Sequence, residues 1–343
     1  MKNVTIKDIA KMCGVGVSTV SRAINDNPGI SAETKEHILD VIRENNYVPN
    51  NSARNLKRSE TETIAVLVKG IGNSFFSPMI TEFEKIIQEK KYTFVLQRVD
   101  ENQDEIDVAM EIEKEKRLKG IVFLGGYFSH SKEKLGKITV PFVLSTIGMT
   151  DSMVHREFAS VAVDDEKESF KIVDYLCSLG HKKIAILAAS PDDESIGKLR
   201  MSGYKKALIK NGIEYDENLV FELISGNERY SIKSGYITAK KMLKSNVECT
   251  AIFAITDAIA IGACRAIWDE NKKVPEDYSI AGFDGLEMTK YYIPSFTTIR
   301  QPVEKMARET LRMLFQMIDS KKRLKENVIF PGELIIGEST RGI

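Results

Sequence analysis

The stretch "VTIKDIAKMCGVGVSTVSRAIND", Val4 to Asp26, sets short hydroxyl side chains and one guanidinium on a surface with little bulk. Arg22 can pair with guanine O6 and N7, Ser18, Thr19 and Ser21 can reach base edges or phosphates, and Val17 permits close approach. That is chemistry for reading a nucleic-acid groove. A second set is spread over later loops. Phe75 and Phe76 in "GNSFFS" and Tyr230 in "GNERYS" can stack against the face of a sugar or a base. Arg200, Asp257, Asp284 and Gln301 can hydrogen-bond its polar edge, and Thr146 and Thr256 stand in loops of the same kind. Catalytic patterns are missing: the chain holds no GxSxG, no HExxH, no phosphate-loop lysine and no GxGxxG after its first strand. The four histidines are scattered, and Cys13, Cys177, Cys249 and Cys264 form no CxxC pair. The expectation is no enzyme, no metal ion and no cofactor.

The elements that carry the first set can be read locally. Ile6, Ile9, Ala10 and Cys13 are spaced for a helix, with Thr5 and Asp8 in a capping-box relation, and Gly14 ends it. Val15, Val20, Ala23 and Ile24 form a second stripe that leaves Val17, Ser18 and Arg22 outside it. Helix, glycine turn and helix make a helix-turn-helix whose second helix enters the major groove. An ordinary helical hairpin with these residues solvated fits the spacing as well. Ser31 opens a third helix with Ile38, Leu39, Val41 and Ile42 as its apolar face, stopped by Pro49. The segment that follows, "NNSARNLKRSE", is polar, too short to hold a helix alone, and has one large apolar residue, Leu56. Residues 1–59 carry nine Lys and Arg against six Asp and Glu in a chain of zero net charge, a mild basic bias at this end.

From Thr63 onward, apolar runs alternate with helical patterns: "TIAVLV", "TFVLQR", "GIVFLG", "VPFVLST", then "SVAVD", "KKIAILAA", "LVFELI", "AIFAIT" and "YSIAGFDG". Buried strands alternating with helices imply parallel sheets covered on both faces, here about nine strands in two sets. Such folds bind ligands at the carboxyl ends of their strands, where the loops named above stand. No run of about 18 apolar residues and no apolar leader region point to a membrane or to export, so the expected compartment is the cytoplasm.

The combination "VTIKDIAKMCGVGVSTVSRAIND", "YVPNNSARNLK", "IAGFDG" and "TTIRQP" strongly resembles the lactose-repressor/galactose-repressor (LacI/GalR) family of bacterial transcription regulators, over nearly the whole chain. The resemblance implies a small all-α helix-turn-helix headpiece plus an α/β periplasmic-binding-protein-like core of two parallel-sheet subdomains. The headpiece is expected at 1–48 and a hinge helix or linker at 49–60. The first subdomain is expected at 61–162 and 292–322, the second at 163–291 and 323–343. By the same resemblance Val17, Ser18 and Arg22 read bases, and Leu56 wedges into the minor groove beside Ala53 and Lys57 of a hinge that folds on operator. Thr5, Thr19, Ser21, Asn25, Tyr47 and Asn50 complete the DNA-facing set. Arg200, Tyr230, Asp284 and Gln301 fall where family members contact their effector. Departures from the family pattern put the effector's identity in doubt: Thr146 and Thr256 replace more usual residues, "DDEKES" (164–169) lacks a glycine pair, and Gly337 stands where Arg is frequent.

The expected function is a homodimeric regulator, most simply a repressor of carbohydrate-uptake or catabolic genes. It would bind a near-palindromic double-stranded operator under control of a sugar or sugar phosphate. Two rivals remain at this point. One is a regulator whose main input is a protein partner; the other is a solute-binding protein, which has no use for residues 1–60.

Overall fold

The computed structural model describes residues 4–24, 28–45, 47, 62–100, 102–126, 132–147, 158–190, 195–226 and 228–343. The chain divides into two compact units, Met1–Glu60 and Thr61–Ile343.

In the first unit three helices, α1 (Ile6–Met12), α2 (Val17–Ile24) and α3 (Ala32–Glu44), enclose a small core. Thr5 caps α1: its Oγ1 accepts from the Asp8 amide at 3.4 Å, and Asp8 Oδ2 accepts from the Thr5 amide at 2.9 Å. Gly14 then turns the chain at φ +64°, a left-handed conformation that costs glycine least. Ser31 caps α3 by accepting from the Thr34 amide at 3.1 Å. Ile9, Ala10, Val20, Ala23 and Ile38 are buried together, with Val15, Ile24, Val41, Ile42 and Tyr47 packed around them. Helices this short are marginal alone, so this shared apolar face is what holds them.

The second unit runs β1 (Thr63–Lys69), α4 (Phe76–Glu89), β2 (Thr93–Val99), α5 (Glu105–Lys116), β3 (Leu118–Leu124), α6 (Lys132–Leu135), β4 (Phe142–Ser145) and β5 (Ala159–Val163). It continues with α7 (Asp165–Ser178), β6 (Ile184–Ala188), α8 (Ile196–Lys210), β7 (Val220–Glu222), α9 (Ile232–Lys244), β8 (Ala251–Ala254), α10 (Asp257–Asp269) and β9 (Ser279–Asp284). Last come β10 (Thr297–Arg300), α11 (Val303–Ser320), β11 (Asn327–Phe330) and β12 (Glu333–Ile335). The first sheet has strand order β11-β5-β4-β3-β1-β2 and the second β12-β10-β9-β8-β6-β7. Among the described residues every pairing is parallel except β10 with β12. The strands read as continuous apolar runs because helices cover both faces; β1 is buried at all seven positions. Helix pairs approach closely where glycine allows it. A Cβ on Gly203 of α8 would stand 2.2 Å from the Glu166 carbonyl oxygen of α7, and one on Gly262 of α10 would stand 2.0 Å from the Ile232 carbonyl oxygen of α9. Among the described residues no helix is long and apolar enough to cross a membrane.

Two strands differ from expectation. Residues 292–322 were expected in the first subdomain and 323–343 in the second. Instead β10 lies in the second sheet, parallel to β9 with Thr297 opposite Ala281, and only α11 crosses back. β11 then joins the first sheet as an edge strand beside β5, where Ser160 Oγ donates to Asn327 Oδ1 at 2.7 Å. β12 alone returns, antiparallel to β10. Thr297, Thr298 and Ile299 of β10 are buried between two neighbouring strands, whereas the half-exposed β11 sits at an edge. The chain therefore crosses between sheets after β5, after β10 and after β11.

Candidate DNA-reading surface and effector cleft

On the first unit, α2 turns Val20 and Ala23 into the core and leaves Val17, Ser18 and Arg22 exposed, with Thr19 and Ser21 half-buried. The three exposed residues lie outside the buried stripe of α2. Thr5 serves as the α1 cap, and Tyr47 packs against the helical core. Asn25, Asn50, Ala53, Leu56 and Lys57 lie outside the described residues.

On the second unit, one cleft lies at the carboxyl ends of the strands. The first sheet contributes Lys69, Gly70, Asn73, Phe75, Phe76, Gly125, Gly126, Thr146 and Val163. The other wall contributes Asp165, Ser195, Ile196, Arg200, Tyr230 and Gln301. Six of the expected residues are thus brought together: Phe75, Phe76, Thr146, Arg200, Tyr230 and Gln301. Phe75 and Phe76 also begin the core helix α4, their ring centroids 5.7 Å apart at 55°. Thr146 is held at φ +62°, and its Oγ1 accepts from the Gly125 amide at 3.1 Å. The Tyr230 hydroxyl meets Ser195 Oγ at 2.8 Å.

Thr256, Asp257 and Asp284 do not line the cleft. Thr256 caps α10 by accepting from the Ile259 amide, and it is wholly buried. Asp257 accepts from the Leu286 amide at 2.7 Å and from Thr298 Oγ1 at 2.6 Å, so its oxygens hold the loop after β9 against β10. Burial pushes its carboxyl up to about 7, against the pull of these donors. Asp284 sits one layer behind the lining, at φ +123°. Its Oδ1 accepts from Gln301 Nε2 at 2.9 Å and lies 3.5 Å from Arg200. Burial raises its carboxyl well above the usual range, opposed by Arg200 and reinforced by Asp257.

Arg200 is 1% exposed and already engaged. Its Nε donates to Asp165 Oδ1 at 2.8 Å, a terminal nitrogen donates to the Ile255 carbonyl, and the guanidinium carbon lies 3.7 Å from the Phe283 ring centroid. Asp165 was missed in the sequence, as were Lys69 and its partner Glu105, whose carboxylate lies 3.1 Å from the ammonium. The available signal was position: Lys69 ends β1, and Asp165 follows β5 by two residues, both at carboxyl ends.

Residues 5–50 match the family of bacterial regulatory proteins named for lacI, and residues 173–340 match a periplasmic binding protein-like domain. The regulator MalR of Clostridium butyricum is 41% identical over 336 residues, covering 97% of this chain and 98% of that protein. The chain belongs to the LacI family. Catabolite control protein A of Priestia megaterium is 30% identical over 341 residues, covering 99% of this chain and 100% of its own. Among solved structures, a complex of the transcriptional regulator CelR with cellobiose is 26% identical with a TM-score of 0.71, covering 98% of this chain and 99% of that one. The lac repressor dimer bound to operator and an anti-inducer is 25% identical with a TM-score of 0.73, covering 99% and 100%. This LacI-family member is a DNA-binding transcriptional regulator and not an enzyme.

Proposed function

We propose that this LacI-family protein is a cytoplasmic, homodimeric repressor of carbohydrate-uptake or catabolic genes, with a sugar or a sugar phosphate as the effector bound in its cleft. The observation that carries the reading is the cleft itself. Phe75, Phe76 and Tyr230 offer ring faces beside the polar edges of Arg200, Gln301 and Thr146. Ring faces and in-plane hydrogen bonding are what a pyranose or furanose requires. Relatives in structure lend support: CelR is bound to cellobiose, and a LacI-family regulator of Enterococcus faecium, 26% identical, holds ribose. A homodimer is supported by Tyr291 and Ile293, 78% and 95% exposed on the connection after β9 beside the exposed Met288. Such apolar groups in one place favour a covered surface. Two-fold pairing presents two identical α2 helices, and a near-palindromic operator follows.

The mechanism is linkage. A ligand that prefers one closure of the cleft shifts the balance between closures, and with it operator affinity. The test is a footprint of the dimer on operator selected from random duplexes, with and without a panel of sugars and sugar phosphates. A protected near-palindrome whose occupancy changes with one sugar class is expected. An asymmetric site would overturn the dimer, and a footprint indifferent to every sugar while responding to a phosphorylated carrier protein would overturn the effector reading.

A further inference from the structure

We propose that the cleft selects an uncharged polyhydroxyl ligand and rejects phosphorylated or carboxylated sugars, with Asp165 and Glu105 as the specificity-determining residues. The inference rests on the reading of the cleft as a saccharide site and narrows it.

Among the described residues, two cations line the cleft, Lys69 on one wall and Arg200 on the other. Each is matched by a buried carboxylate. Lys69 Nζ lies 3.1 Å from Glu105 Oε2, with side chains 5% and 3% exposed. Arg200 Nε lies 2.8 Å from Asp165 Oδ1, with side chains 2% and 3% exposed. Asp284 adds a further carboxylate 3.5 Å from the same guanidinium. Its Oδ2 is buried with no hydrogen-bond partner. The Arg200 side of the cleft therefore carries no surplus positive charge.

A phosphate ester is recognised through a guanidinium fork or an ammonium whose charge is available. Here Asp165 takes the Nε edge of that fork, and a terminal nitrogen is given to the Ile255 carbonyl. An anion reaching Arg200 would have to displace Asp165, stranding a buried carboxylate, or lie against it. With the charge of Arg200 already balanced by Asp165, an anion entering the cleft gives up its hydration with no spare cation to offset the loss, which weakens its binding by roughly 100-fold. A sugar hydroxyl meets neither obstacle. It donates to a carboxylate and accepts from an N–H with no net charge added. Asp165→Asn keeps an oxygen for Arg200 Nε while removing the negative charge, and Glu105→Gln does the same opposite Lys69.

The experiment is calorimetry on the full chain with matched pairs: ribose and ribose 5-phosphate, glucose and glucose 6-phosphate, cellobiose and its 6′-phosphate. The wild type is expected to favour the neutral member of the pair it binds by about 100-fold. D165N or E105Q should narrow that ratio at least tenfold by strengthening binding of the ester. Thermal melting identifies the variants that fold, and either one suffices. A wild type that takes an ester as tightly as its parent sugar overturns this inference and leaves the saccharide effector standing. A ratio unmoved in every folded variant overturns the roles of Asp165 and Glu105. Binding of no member of any pair removes the saccharide reading, and this inference with it.

Discussion

Replacing Arg200 by alanine would leave Asp165 and Asp284 buried together with no cation between them. Breaking a buried pair from one side costs about 3–5 kcal/mol. Arg200→Ala is therefore expected to lower the urea midpoint strongly, so its loss of effector response would report stability as much as recognition. Asp165→Asn is the milder probe of the same site. Arg22 presents the opposite case. It is exposed on α2, outside the buried Val20 and Ala23. Arg22→Ala should leave the unfolding midpoint within error, while discrimination for guanine in each half-site falls by roughly 1–3 kcal/mol in competitive binding to operator variants. Unchanged base preference would remove Arg22 from the reading surface.

His181, in the turn before β6, shows how one side chain anchors whole elements. Its Nε2 meets the Arg341 carbonyl at 3.0 Å, so that nitrogen carries the proton, and Nδ1 meets Thr250 Oγ1 at 2.8 Å. The ring thereby ties the carboxyl-terminal segment and the start of β8 to β6. Burial lowers its pKa. Below its unfolded value near 6.5 the unfolded chain takes up the proton first. The contribution of His181 is thus complete above that pH and is lost as pH falls through the depressed folded value. His181→Gln should flatten the dependence of unfolding free energy on pH below about 6.5; equal slopes in mutant and wild type would refute the tie. The α7–α8 contact is a second element-scale constraint. Gly203→Ala places a methyl 2.2 Å from a carbonyl oxygen. A loss of roughly 1–3 kcal/mol is expected in urea unfolding.

For the whole molecule, three crossings join the two sheets whose strand ends form the cleft. In the proposed mechanism ligand and operator act on one closure of that cleft, and their coupling is then reciprocal. The factor by which a sugar changes operator affinity should equal the factor by which saturating operator changes sugar affinity. Calorimetry of the sugar on free and operator-bound protein measures that factor, and equal sugar affinities in the two states would show that the cleft does not control operator binding.

Much of this was legible along the chain because the signals are local. Thr5 with Asp8, Gly14 and Ser31 mark helix ends within a turn of themselves, and the apolar runs from Thr63 mark buried strands. The rule that parallel sheets bind at carboxyl ends, together with the family resemblance, pointed to loops whose residues Phe75, Phe76, Thr146, Arg200, Tyr230 and Gln301 line one cleft. What a residue at such an end faces is another matter. Thr256 and Asp257 occupy the same kind of loop as Tyr230, yet β10 packs against them, and Thr298 and Leu286 consume the Asp257 oxygens. The buried pairs Lys69–Glu105 and Arg200–Asp165 join residues 36 and 35 positions apart. The sheet chosen by β10 and β11 depended on which neighbours had an open slot. Local patterning fixes which elements form and which end of each carries chemistry. Burial, pairing and strand neighbourhood are set by parts of the chain far apart in sequence, so they emerge only once the sheets have assembled.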